Sequence, residues 1–249
     1  MNINYYDTDC STWHPTGKLF QVEYATKAID FGSICLGLRS NTHAVLVSQK
    51  RSAGELAGYQ EKVFQISDQM GMSIAGITAD ARILCKYMRN ECLNYKYTYG
   101  SAHPVKRLIA KVAEKSQNKT QVYGKRPYGV GMLIIAHDQD GPHLIQTLPS
   151  GEYYEYYAYS IGARSQSAKT QFENHVNKLA ASTLEQLILH GLYALKKAVQ
   201  DDEDINQKSV DIAFVGNNSN FTELKPNQVN EYLEKLKNFK PEDQMDIQN

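Results

Sequence analysis

The sequence predicts an α+β fold, a four-layer α/β/β/α sandwich in which two stacked antiparallel sheets carry helix pairs on their outer faces. Three observations predict it. Short apolar runs come in groups, helical periodicities come in pairs between those groups, and turn residues join consecutive strands at hairpin spacing. That order does not fit alternating βαβ units. Neither a linker nor an internal repeat interrupts the chain, so one domain over 1–240 is expected, followed by a disordered tail, 241–249.

The elements follow in order. Leu19, Val22, Thr26 and Ile29 recur at helical spacing, which predicts a helix over 17–29 ended near Gly32. Ser33–Arg39 and His43–Ser48 read as strands around a Ser40-Asn41 turn, and Val63–Ser67 and Gly71–Gly76 as the next two. Thr78 reads as an N-cap with Asp80 in the first turn of a long helix, whose stripe is Ile83, Leu84, Tyr87, Met88 and Cys92. Pro104 suits the start of its partner helix, carried by Val105, Leu108, Ile109 and Val112, with 117–121 as a polar loop. Strands resume at 131–138 and 143–148 across Asp140-Gly141-Pro142, and 153–161 reads as one half-buried strand. Helices at 165–179 and 183–199, an acidic loop Asp201–Asp204, a strand at 209–216 and a helix at 226–239 complete the order.

Bulk composition excludes several function classes. Lys plus Arg and Asp plus Glu each number 27, so no basic excess exists to hold nucleic acid or an anionic membrane. No stretch approaches the roughly 20 apolar residues that span a bilayer. The polar, acidic start, Met1 to Asp9, reads against a signal peptide, and hence for an intracellular protein. Cys10, Cys35, Cys85 and Cys92 have no paired spacing and read as thiols, and the seven histidines are too scattered for a metal motif. No metal and no cofactor are expected. Seventeen tyrosines suit either a ring-rich core or extensive interfaces. Gly129-Val130-Gly131 precedes a strand, Gly162-Ala163-Arg164-Ser165 lacks a nucleophile elbow's second glycine, and Lys125-Arg126 is too short a basic patch for nucleic acid.

One run is far more specific. Tyr6-Asp7, followed by Thr12-Trp13-His14-Pro15-Thr16-Gly17-Lys18-Leu19-Phe20-Gln21-Val22-Glu23-Tyr24-Ala25, resembles the signature of proteasome core-particle alpha-type subunits. The resemblance continues through 71–82, 126–131 and 160–168, and at 43–47, 88–93 and 162–165 it leans toward the type-1 branch of that family. It implies the N-terminal-nucleophile hydrolase sandwich. It also implies a non-catalytic structural and gating subunit of a seven-membered alpha ring, in cytoplasm and nucleus, serving ubiquitin-dependent and other protein degradation. The implied partners are other alpha subunits, beta-ring subunits and the C-terminal tails of regulatory particles, without nucleic acid or membrane.

The resemblance also assigns roles. Catalytic relatives use a processed N-terminal threonine whose free amine serves as base, an acidic partner and a lysine. Those slots fall at Ser33, which keeps an upstream peptide; at Gln49, which carries no charge; and at Lys62. No catalytic residue is therefore expected here; the alternative is an active hydrolase behind a cleavable leader, and a third reading is an adaptor working alone. Lys62, with Gly76 on the same wall, matches the pocket that captures a regulator's C-terminal carboxylate, the plain alternative being a surface lysine. Tyr6, Asp7, Pro15 and Tyr24, within the segment 1–32, match the gate cluster, or else pack at a ring interface. Leu19 and Val22 read as neighbour-facing packing. Thr8 departs from the family's arginine and removes an ionic contact there.

Overall fold

The fold was analysed in a computed structural model, which describes residues 6–52, 54, 56–199, 205–239 and 241, with the side chain of Asn177 excepted. The expected acidic loop 201–204 and the tail beyond 241 lie outside the described residues.

Among the described residues, ten strands form two five-stranded antiparallel sheets. The first contains β1 (Cys35–Arg39), β2 (His43–Gln49), β8 (Ala158–Ile161), β9 (Val210–Gly216) and β10 (Ser219–Glu223), in the order β10-β9-β2-β1-β8. The second runs β3-β4-β5-β6-β7, from Val63–Ser67, Met70–Gly76, Val130–Asp138, Gly141–Thr147 and Tyr153–Glu155. Leu46, Leu133, Ile135 and Leu144 fill the space between the sheets, so both faces of the central strands are apolar and their burial is almost unbroken. Helices α2 (Thr78–Tyr99) and α3 (Val105–Gln121) cover the second sheet through Leu84, Met88, Leu108 and Ile109. Helices α4 (Ser165–Leu179), α5 (Leu184–Ala198) and α6 (Pro226–Asn238) cover the first through Phe172, Ile188, Leu192 and Leu236. The four expected layers are present. Helix α1 (Phe20–Asp30) lies outside this plan and buries Ile29 against Gly131 of β5.

Several expectations need correction. The run 153–161 is two strands: β7 pairs with β6 in one sheet and β8 with β1 in the other, so the chain changes layer at Tyr156–Tyr157. The polar segment 117–121 is the last turn of α3, where Thr120 bonds the Gln117 carbonyl. Thr78 is the first helical residue and makes no cap; its hydroxyl accepts from Gln60 Nε2 at 2.6 Å. Ile83 faces outward, and the buried stripe of α2 is Ala81, Leu84, Cys85 and Met88. Gly17 belongs to a turn at φ +79° before α1 begins, and β10 was not foreseen. Thr183 does cap α5, forming a reciprocal box with Gln186.

Candidate functional site

Residues 6–19 contain no regular element, yet they are fixed by a series of local bonds. Asp9 accepts from the backbone and hydroxyls of Ser11 and Thr12 at 2.7–3.0 Å. These bonds, led by the Ser11 amide, hold its carboxyl below the usual range. The neighbouring Cys10 is almost fully buried, with its thiol 3.2 Å from the Lys125 carbonyl and within 3.7 Å of those of Lys119 and Val122, which anchors the segment on the end of α3. Pro15 and Thr16 sit inside a turn closed by Gly17 N–H to the His14 carbonyl at 2.8 Å, and His14 N–H bonds Lys18 O at 2.9 Å.

This turn feeds α1 and brings part of the expected gate cluster together. Gln21 Nε2 donates to the Asp7 carbonyl, and the Tyr24 hydroxyl lies 3.4 Å from Asp7 Oδ2. Partial desolvation and then the Asp7 charge raise the Tyr24 pKa, so the phenol remains a donor. Rings continue the contact: Tyr6 meets His14 edge-on at 5.0 Å, His14 meets Phe20 at 4.9 Å, and Phe20 stacks with Tyr24 at 6.1 Å. Pro15 is exposed. Leu19, Val22 and the exposed Trp13 line one open cavity with Cys10.

The three catalytic slots look inward. Ser33 is buried, its nitrogen is a peptide amide in the chain that descends from α1, and its Oγ has no hydrogen-bond partner among the described residues. Gly162, at φ +93°, allows the chain before α4 to pass so closely that a Cβ there would lie 2.6 Å from the Ser33 carbonyl. Gln49 is buried at the end of β2, with its N–H on the Ile34 carbonyl at 3.0 Å. Lys62 is not the surface lysine of the plain alternative: it is 2% exposed, and its Nζ stands 3.5 Å from the Ile74 carbonyl. That carbonyl also accepts from the Cys35 thiol at 3.0 Å, and burial pushes the thiol pKa up against the nearby Lys62 charge. A Ser48–Ser73 hydroxyl pair at 2.6 Å joins the two sheets within the same polar seam.

Gly76 closes β4 at φ +112°, and an added Cβ would fall well inside van der Waals contact with the Gly129 carbonyl. Beside it, Asp80 takes both terminal nitrogens of Arg126 at 2.6 and 2.8 Å and the Gly129 N–H at 3.0 Å. Residues 71–82 and 126–131, far apart in the sequence, thus form one joint. Sequence reasoning missed the 2.5 Å pair of Lys50 with Asp211. Burial raises the Asp211 carboxyl, opposed by Lys50, and the lone acid in an otherwise apolar strand was the available signal.

Asp138, Asp140 and His143 bring ligand atoms within 4.8 Å of one another. The imidazole is already engaged on both sides, with Asp138 at 2.9 Å and Glu155 at 2.7 Å, so the cluster is closed on itself by hydrogen bonds.

Two family models match the chain. The model described as proteasome subunit matches residues 29–215. The model for the N-terminal signature of proteasome alpha subunits matches residues 6–28, the segment that carries the Asp7–Tyr24 contact. The chain belongs to the proteasome alpha-subunit family. Relatives in that family include the alpha type-1 proteasome subunit of Dictyostelium discoideum, 49% identical over 97% of this chain and 98% of its own. The probable alpha type-6 proteasome subunit of Schizosaccharomyces pombe is 47% identical over 95% of this chain and 87% of its own. The alpha type-1 proteasome subunit of Caenorhabditis elegans is 44% identical over 95% and 91%. The proteasome alpha-subunit signature is therefore folded here as a pinned segment and a helix in front of β1.

Proposed function

We propose that this chain is a catalytically silent structural and gating subunit of the proteasome core particle's alpha ring. In this role it controls substrate access and docks regulatory particles in ubiquitin-dependent and other protein degradation, in cytoplasm and nucleus. The observation that carries the reading is the position of the signature segment. Residues 6–32 are built into the fold, with Cys10 under the end of α3 and Ile29 in the inter-sheet core, so Ser33 receives an amide where the mechanism needs an amine. Removing that segment to free Ser33 would expose the core it covers, which counts against the leader-cleaved hydrolase. Residues 1–240 act as one domain in this reading.

Exposed rings and aliphatics support permanent partners. Leu93, Tyr97 and Tyr99 stand on α2 at 65, 94 and 67% exposure and offer apolar surface to a partner. Neighbouring alpha subunits and a beta ring would cover such surfaces. Among the described residues no helix is long and apolar enough to cross a membrane.

Tyr6, Asp7, Pro15 and Tyr24 form the gate cluster of this reading, in which the neighbour contributes the proline and the second tyrosine. Lys62 and Gly76 form the regulator-tail pocket. Because Lys62 points into the seam, its ammonium must turn outward to meet a carboxylate. A Lys62→Met substitution keeps the stem and removes the charge, and in assembled particles it is expected to weaken binding of a C-terminal tail peptide at this position roughly tenfold. Unchanged binding would make Lys62 a seam residue only.

Intact mass and native size decide the main reading. Co-migration with a large particle, an intact mass that retains residues 6–32, and labelling of other chains by a threonine-directed inhibitor are expected. A mature start at Ser33 or labelling of this chain would establish the hydrolase, and recovery as a 28.1 kDa monomer from its source would favour the adaptor.

A further inference from the structure

Two histidines distant in sequence meet where α4 and α5 pack. The His175 and His190 ring centres are 5.8 Å apart at 45°. His175 is 6% exposed, and its Nδ1 lies 2.8 Å from the Gln171 carbonyl of its own helix. A carbonyl only accepts, so Nδ1 carries the proton and Nε2 is left with its lone pair. That Nε2 is buried and has no hydrogen-bond partner among the described residues. A buried imidazole nitrogen with nothing to accept from is costly and points to a ligand for its lone pair, an ion or a water.

Aromatic rings adjoin the pair. Phe239, just past α6, meets His190 edge-on at 5.2 Å and Tyr193 at 6.4 Å. A zinc ion sits about 2 Å from each imidazole nitrogen and therefore about 3 Å from each ring centre, which puts two such centres roughly 5–6 Å apart across one ion. The observed separation falls in that interval.

We infer that His175 and His190 form a two-imidazole clip for a borderline divalent ion of the zinc class, held between α4 and α5 with water completing the coordination. The sequence hides the clip because its ligands lie on separate helices, which no short metal motif records. The Lys178 ammonium lies within electrostatic reach of His190. Lys178 opposes a cation, which limits the affinity. Zinc would stitch α4 to α5 and stabilise that outer layer.

The test is calorimetric titration of the full chain with zinc chloride at pH 7.5, paired with thermal unfolding. One site is expected, with a raised unfolding temperature, and affinity weakened roughly tenfold or more in His190→Gln and in His175→Gln. The half-buried His190 keeps the test valid if the His175 variant fails to fold. A His143→Asn control, which opens the Asp138 cluster, should leave the site intact. Absence of zinc binding, zinc binding that survives both clip variants, or zinc binding lost in His143→Asn alone overturns the inference.

Discussion

A Gly76→Ala chain is expected to lose about 3–5 kcal/mol of stability, a large part of what a domain of ordinary size has. Two independent costs add. At φ +112° the backbone of Gly76 sits where an L side chain is strained by about 1–3 kcal/mol. The new methyl would then overlap the carbonyl of Gly129, a backbone atom with little freedom to give, because Ile77 N–H bonds that carbonyl at 2.8 Å and β4 pairs Gly76 with Val130. Gly32 approaches the same point from α1, so the strand end cannot shift toward it. Urea unfolding of the full chain measures this directly. A midpoint equal to the parent's would mean that the joint at Gly76 is free to relax, contrary to its packing. The same argument makes Gly76 a poor probe of regulator docking, since any loss there would report folding first.

The four layers were readable because the signals behind them are local. Grouped strands, paired helices and the hairpins 33–48, 63–76 and 131–148 all follow from periodicity and turns within short windows. What escaped depends on contacts between distant segments. Nothing in Tyr153–Ile161 shows that its halves belong to different sheets; that is decided by where Leu144 and Arg39 offer backbone partners, to Tyr156 N–H and from Tyr157 O. The last turn of α3 reads as a loop from its polarity, although the buried Ser116 and Thr120 hydroxyls bond carbonyls of their own helix. At the candidate site, resemblance supplied Tyr6, Asp7 and Tyr24, while the pinning of Cys10 and the inward turn of Lys62 required three dimensions.

The clamp between Asp80 and Arg126 carries the other large effect. Asp80 lies in the first turn of α2, where a carboxylate suits the helix dipole, yet its side chain is only 3% exposed against 63% for Arg126. The Arg126 hydrogen bonds, aided by the Gly129 amide and opposed by burial, hold the Asp80 carboxyl below its ordinary 3.8. A carboxyl lowered on folding contributes stability above its unfolded pKa and loses it as pH falls through the folded value. Arg126→Ala leaves a buried carboxylate with one backbone donor, and a loss of about 2–4 kcal/mol is expected at pH 7. Without the guanidinium, burial dominates and Asp80 takes up a proton at higher pH than in the parent. The gap between variant and parent should therefore narrow at pH 4.5, where the variant's carboxyl begins to neutralise while the parent's stays charged. Urea midpoints at the two pH values measure it, and an unchanged gap would assign the loss to the arginine stem's packing instead of its charge. Because Gly129 is held by Asp80 on one side and abuts Gly76 on the other, loosening the clamp also loosens the end of β4. Arg126→Ala and Gly76→Ala should consequently cost less together than the sum of the two, since each releases the same loop.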